Sequence, residues 1–178
     1  VDPAKLAAGF VNADVPDAKA ALEGARDIVA EGMAENAALV GEIRNHLVAR
    51  AQLRARVVEG KQETGAKFSD YFDHTETWAK APSHRVLALL RAQNEGVVKM
   101  DIEVDADDAS KVKPVEAMVA RYNSVRIAGG SPADEWLLGV ARWAWRQKLR
   151  PSLNTELMAT LKEGADGEAI RVFSRNLN

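Results

Sequence analysis

The sequence predicts a mainly α, multihelical domain with at most one small strand element. Three observations carry this. Apolar residues recur three, four or seven positions apart along most of the chain. Proline, serine and aspartate stand where such stretches begin. Strict apolar–polar alternation occurs once, over residues 98–105.

The elements follow in order. Residues 3–10 suggest a short helix, then Asn12 and Asp14 a loop. Pro16 sits at a helix start, where its missing N–H costs nothing. Leu22, Ala25, Ile28, Val29 and Met33 predict an amphipathic helix over 17–35, stopped at Asn36. A second helix is expected over 37–58, with Val40, Ile43, Leu47, Ala51 and Val58 as its buried row. The short connection makes these two antiparallel neighbours. Thr64 or Ser69 can cap a short helix carrying Phe68, Tyr71 and Phe72. Pro82 and Ser83 open another, apolar on more than one side through Val86, Leu87, Leu89 and Leu90, and Gly96 ends it. Phe68, Tyr71, Phe72, Leu87 and Leu90 are therefore expected in the core.

Val98, Met100, Ile102 and Val104 alternate with Lys99, Asp101, Glu103 and Asp105, which predicts a strand. Its backbone needs a partner, and 125–127 is the best candidate within the chain. Pro114 starts a helix with Val115, Met118, Val119 and Tyr122 on one face. Ser131, Pro132 and Asp134 start a longer one reaching Leu149, with Trp136, Val140, Trp143 and Ala144 aligned and Trp145 pointing elsewhere. Pro151 is expected to end it. Helices over 155–163 and 168–177 close the chain, the last patterned by Ile170, Phe173 and Leu177. The pattern reads as one domain over 1–178. It allows a sub-division into a helical hairpin over 1–62, a central motif with a short strand over 63–130, and C-terminal helices over 131–178.

Composition narrows the classes. The 178 residues are 47% apolar and 28% charged, ordinary for a globular chain able to bury a core. The formal charge of −2 carries no global signature of a nucleic-acid binder. With no Cys, disulfides, thiolate metal sites and Cys nucleophiles are excluded, which fits a reducing cytoplasm. No run of about 18 apolar residues predicts a membrane span, and no signal peptide is visible. A first residue other than Met and a helix-like end read as a fragment of a longer chain.

Charge is uneven. Residues 1–43 hold eight acids and three bases, whereas 44–61 hold five bases and one acid. Arg50 and Arg54 share one ridge of the expected second helix, and Lys61 and Lys67 flank the glycine-bearing turn after it. Such a ridge can follow a phosphate backbone. The competing reading is a solvated face paired with acids of the preceding helix, such as Glu31 or Glu35.

Asp70, Asp73, His74 and His84 supply oxygen and imidazole groups within a short stretch, but at no recognised metal-ligand spacing, so no metal, cofactor or catalytic residue is expected. Asp101, Glu103, Asp105, Asp107 and Asp108 lack the glycine and final glutamate of a calcium loop, and solvation is the better reading. Gly129 and Gly130 precede a helix start without the strand–loop–helix fingerprint of a phosphate loop, and read as a turn.

The run Gly65-Ala66-Lys67-Phe68-Ser69-Asp70-Tyr71-Phe72-Asp73-His74, followed by Pro82-Ser83-His84-Arg85-Val86-Leu87-Ala88, resembles the bacterial Tex family of transcription accessory proteins. Residues 21–28, 56–61, 134–136 and 169–177 continue the resemblance over nearly the whole chain. It implies a cytoplasmic, nucleic-acid-binding and RNA-binding protein that influences transcription, related to a eukaryotic elongation factor. It further implies an RNase H-like domain, helix-hairpin-helix elements and a C-terminal RNA-binding barrel outside this stretch, which would be helical N-terminal-region sequence ahead of the RNase H-like domain. The expected role is a non-enzymatic helical scaffold, with Arg50, Arg54, Lys61 and Lys67 as phosphate candidates. The rival is a docking module for RNA polymerase or another transcription factor.

Overall fold

Helices in this chain begin where a side chain can satisfy the backbone N–H groups that a helix leaves unpaired. The computed structural model describes residues 1–176. The Asp2 carboxylate accepts from Ala4 N at 2.9 Å and opens α1, Pro3–Ala7. Asp17 accepts from Ala20 N at 2.7 Å and opens α2, Ala18–Ala34. After Asn36 comes α3, Ala37–Arg50. Among the described residues no helix is long and apolar enough to cross a membrane. The chain is mainly helical with one small antiparallel sheet, and it divides into two units.

The first unit comprises Val1–Arg44 and Asp107–Ser152. It includes α5, Pro114–Tyr122, and α6, Pro132–Ala144. The predicted start of α6 forms as a capping box: Asp134 N donates to Ser131 Oγ at 3.3 Å, and Ser131 N to Asp134 Oδ2 at 2.9 Å. α2 packs on α6 and α1, not on α3 as the short connection suggested. Arg26 of α2 lies over the Trp143 ring, 3.6 Å from its centroid. Leu138, Val140, Ala141 and Ala144 are buried on α6.

The aligned tryptophans are not the most buried ones. Trp145 is buried, while Trp136 and Trp143 are only half-buried. Trp145 stands seven residues after Leu138 and four after Ala141, on the buried face of α6. A π-helical turn follows, Trp145–Leu149, in which Arg150 N–H reaches five residues back to the Trp145 carbonyl, and Leu149 is buried after it. Pro151 does not end the helix. It has no N–H to donate, the π-turn lies just before it, and helical structure continues as α7, Arg150–Asn176.

Glu116 of α5 is 4% exposed. It receives Arg142 Nε at 3.2 Å, with Arg146 Nη2 at 3.7 Å, and its Oε2 caps Lys113 N at 3.1 Å. At the end of α5, Glu42 pairs with Arg121 at 2.7 Å. Its hydrogen bond to Tyr122 pushes that phenol above its ordinary pKa.

The second unit comprises Asn45–Ala106 and the chain from Leu153 onward. Its sheet contains β1, Gln52–Val57; β2, Asp73–Thr77; and β3, Val98–Glu103, in the order β2-β1-β3. The predicted strand is present, but its partner is β1, paired from Gln52↔Glu103 to Val57↔Val98. Residues 125–127 are not a strand: Val125 N returns to Ala120 O at 2.9 Å and Ile127 is exposed.

The expected helix over 37–58 therefore stops at Arg50. Ala51 N makes a last bond to Leu47 O at 2.7 Å, and the period then changes to two, burying Leu53 and Ala55. Leu39, Ile43 and Leu47 form the buried row; Val40 is half-buried and Val58 exposed.

Pro82 cannot cap by side chain, but its carbonyl receives Arg85 N and Val86 N at 3.0 Å each, starting α4, Ser83–Asn94. Gly96 ends α4 at φ +72, with Val97 N bonded to Ala92 O at 2.9 Å. Phe68, Val86, Leu89 and Ala92 are buried. Tyr71, Phe72, Leu87 and Leu90 are only half-buried, so that part of the expected core lies at its edge.

The two helices expected at the chain's end are one, because Gly164 and Gly167 sit inside α7 without breaking it. Leu153, Leu157 and Ala165 are buried there, whereas Ile170 and Phe173 are exposed. Leu177 lies outside the described residues.

Candidate functional site

The Gly65–Arg85 motif builds its own platform. Lys61 N donates to Val58 O at 3.0 Å, closing a turn whose third residue, Gly60, has φ +80. Gly65 N then bonds to Lys61 O at 2.9 Å. A Cβ at Gly65 would lie 2.2 Å from Val97 Cγ1 and 2.9 Å from the Lys61 carbonyl oxygen. Only glycine lets the chain pass β3 so closely. A 3-10 segment, Ala66–Tyr71, follows and buries Phe68.

Asp70, Tyr71, His74, His84 and Arg85 line one cleft of about 330 Å³. The motif's residues thus meet although ten positions separate the two His. His74 Nε2 lies 2.6 Å from Glu76 Oε2, and Arg85 Nε lies 3.3 Å from the same oxygen. The Tyr71 and His74 rings meet edge to face at 5.6 Å. Glu76, which the sequence reading passed over, ties β2 to α4. Its signal was parity: His74 and Glu76 are two apart on a strand and share a face. Asp73 has the opposite parity and pairs with Arg56 across β1. Among the described residues no three acids or histidines gather at metal-holding geometry. His74 and Glu76 share a hydrogen bond, and Arg85 adds an ion pair to the same carboxylate, although its Nε makes no hydrogen bond among the described residues.

Arg50 and Arg54, expected on one helical ridge, lie on different elements. Arg50 ends α3 and Arg54 lies on β1. Their acids are not Glu31 or Glu35. Arg50 Nη1 lies 3.9 Å from Asp105, which also holds His46 at 2.5 Å. Arg54 Nη1 lies 3.5 Å from Glu103. Lys67 Nζ is 3.1 Å from Glu95 and 5.0 Å from the Phe68 ring centroid. Lys61 is exposed on the turn. By register Arg54 faces Asp101, Arg56 stands between Asp73 and Lys99, and Gln52 faces Glu103, so three cations and three acids share the polar face of the sheet. Its charge is balanced.

The fold and motif can be set beside known proteins. The chain is 46% identical to "Protein YhgF" of Escherichia coli (strain K12) over 180 residues, and 44% identical to "Protein tex" of Bordetella pertussis over 183. It is 44% identical over 178 residues to "Transcriptional accessory protein Tex" of Neisseria gonorrhoeae. Each match covers 99% of this chain and 23% of the relative, so the chain spans about a quarter of their length. A family model described as Tex central region-like matches residues 1–173. The chain belongs to the Tex family, as a stretch of its central region-like part.

Proposed function

We propose that this chain is a helical scaffold within a nucleic-acid-binding transcription accessory protein, working in the cytoplasm and adding a few phosphate contacts of its own. The observation that supports a scaffold over a primary binding surface is the pairing of its cations. Arg50 and Arg54 face Asp105 and Glu103, so a phosphate must compete with a carboxylate already in place. Lys61, on the exposed turn, is the best placed contact, and Lys67, exposed in the 3-10 segment that follows, pairs with Glu95 at 3.1 Å in a setting wet enough to exchange partners. Binding to RNA or DNA then rests mainly on parts of the longer protein. The test replaces Arg50, Arg54, Lys61 and Lys67 together with Ala in the full-length protein, titrated with RNA and with single-stranded and duplex DNA at two salt concentrations. The expected result is a modest loss, similar across sequences, with the salt slope flatter by about one unit per lost contact. Loss of nearly all binding would make this stretch the main binding surface and end the scaffold reading.

A second reading, docking of RNA polymerase or another factor, draws on exposed apolar side chains of the first unit: Leu6 at 57%, Phe10 at 70% and Ile28 at 74%. Such a cluster is uncommon on a surface that stays wet. Co-sedimentation of RNA polymerase with full-length protein, before and after Ile28→Glu, tests it. Retention that survives the change would remove this surface from the interaction.

A further inference from the structure

We propose that the apolar groove of the first unit is a docking site for a basic amphipathic α-helix presented by a separate protein. This rests on the docking reading and adds the chemistry of the partner. The groove encloses about 510 Å³ and is lined by Leu6, Phe10, Val15, Leu22, Ile28 and Trp136, among others. Its floor on α2 is the stripe Ala21, Gly24, Ala25 and Ile28, at helical spacing. A Cβ at Gly24 or at Gly32, one turn beyond Ile28, would meet nothing within 4 Å. Among the described residues no contact requires glycine there, although glycine weakens a helix interior relative to alanine. A second helix lying along the stripe would use that room for close backbone approach.

The charge preference comes from an acidic ridge that starts on the far side of α2 at Glu23 and reaches the flank of the stripe at Glu31 and Glu35. Glu23, Asp27, Glu31 and Glu35 follow one another at i,i+4 along α2 and are all exposed. Like charges at that spacing repel. Lys19 and Arg26 answer Glu23 and Asp27 at 4.0 and 3.1 Å, while Glu31 and Glu35 continue the ridge into the negative end of the helix, where an acid is least favourable. A Lys- or Arg-bearing helix relieves both repulsions as its apolar face fills the groove. An apolar groove with two exposed acids, Glu31 and Glu35, beside its end suits steered, reversible association with another protein.

Full-length protein is titrated with fluorescently labelled synthetic helical peptides built from Leu and Lys, Leu and Gln, or Leu and Glu, and binding is read by anisotropy. The Leu/Lys peptide should bind best and the Leu/Glu peptide not at all. Ile28→Glu and Gly24→Leu should each weaken Leu/Lys binding about tenfold or more, equivalent to about 1.4 kcal/mol. Both positions are open, so the fold tolerates these changes, and circular dichroism checks it. Glu31→Lys with Glu35→Lys should weaken binding and flatten its salt dependence. Leu/Lys binding that ignores all these variants would be non-specific attraction and would overturn the proposal. Equal binding of Leu/Gln and Leu/Lys would leave a docking groove but overturn its basic partner. Polymerase retention sensitive to Ile28→Glu, without peptide binding, would overturn this inference while the docking reading stood.

Discussion

Gly65 and Phe68 show how narrowly single positions of the motif are fixed. Gly65→Ala places a methyl 2.2 Å from Val97 Cγ1, and the carbonyl of Lys61 blocks relief on the other side. Urea denaturation should show a loss of about 1–3 kcal/mol, typical of an overpacked site. Phe68 is 6% exposed, and Phe68→Ala should cost about 3–5 kcal/mol. Phe72 is half-buried, so Phe72→Ala should cost less than half as much as Phe68→Ala in the same urea series. Equal losses would mean that the edge of the core is packed as tightly as its centre. The sequence marks all three aromatics alike, because a run of Phe and Tyr does not say which ring is buried and which meets water.

At the scale of elements, caps were legible and the sheet was mostly not. Ser131, Pro132 and Asp134 announce α6, and the capping box is formed. The Asp134 carboxyl is held below its ordinary pKa, first by the backbone N–H of Ser131 and then by its hydroxyl. Ionised Asp134 is thus favoured by folding. Its contribution is complete above about pH 4, the unfolded carboxylate range, and fades as pH falls through the lower folded value. The stability difference between the wild type and Asp134→Asn should be flat from about pH 5 to 8 and shrink below about pH 4. A difference that grows on acidification would contradict the cap. β3 was visible because Val98, Met100 and Ile102 alternate with charges. β2, Asp-His-Thr-Glu-Thr, has no apolar residue and so no hydrophobic period at all. β1, Gln-Leu-Arg-Ala-Arg-Val, is rich in good helix formers, and pairing with two neighbours overrides that preference. The error over β1 also put Arg54 on a helical ridge that does not exist. The cleft residues were named through the motif, but Glu76 was missed for want of the strand that gives it its face.

For the molecule as a whole, the paired and exposed cations should separate stability from affinity. Arg50 answers Asp105, whose side chain is 8% exposed and also holds His46. Arg54 and Glu103 are both largely covered at the open face of the sheet. These are ion pairs at 3.9 and 3.5 Å, and the Arg50 side chain is 65% exposed, so Arg50→Ala with Arg54→Ala should lower stability by about 0.5–1 kcal/mol. It should leave nucleic-acid affinity nearly unchanged, since those charges are already engaged. Lys61 and Lys67 behave in the opposite way. Lys61 is exposed, and the Lys67–Glu95 pair is wet enough to exchange its partner at little cost. Lys61→Ala with Lys67→Ala should change the unfolding free energy by no more than about 0.5 kcal/mol. In the full-length protein the same change should weaken binding to any sequence and flatten the salt slope by up to about two units, one per lost contact. Measuring both pairs by denaturation and by titration gives four outcomes, and only this crossed pattern fits a scaffold that lends two lysines to phosphate. Affinity lost on removing the arginines, with stability intact, would show that their carboxylate pairs open to receive nucleic acid.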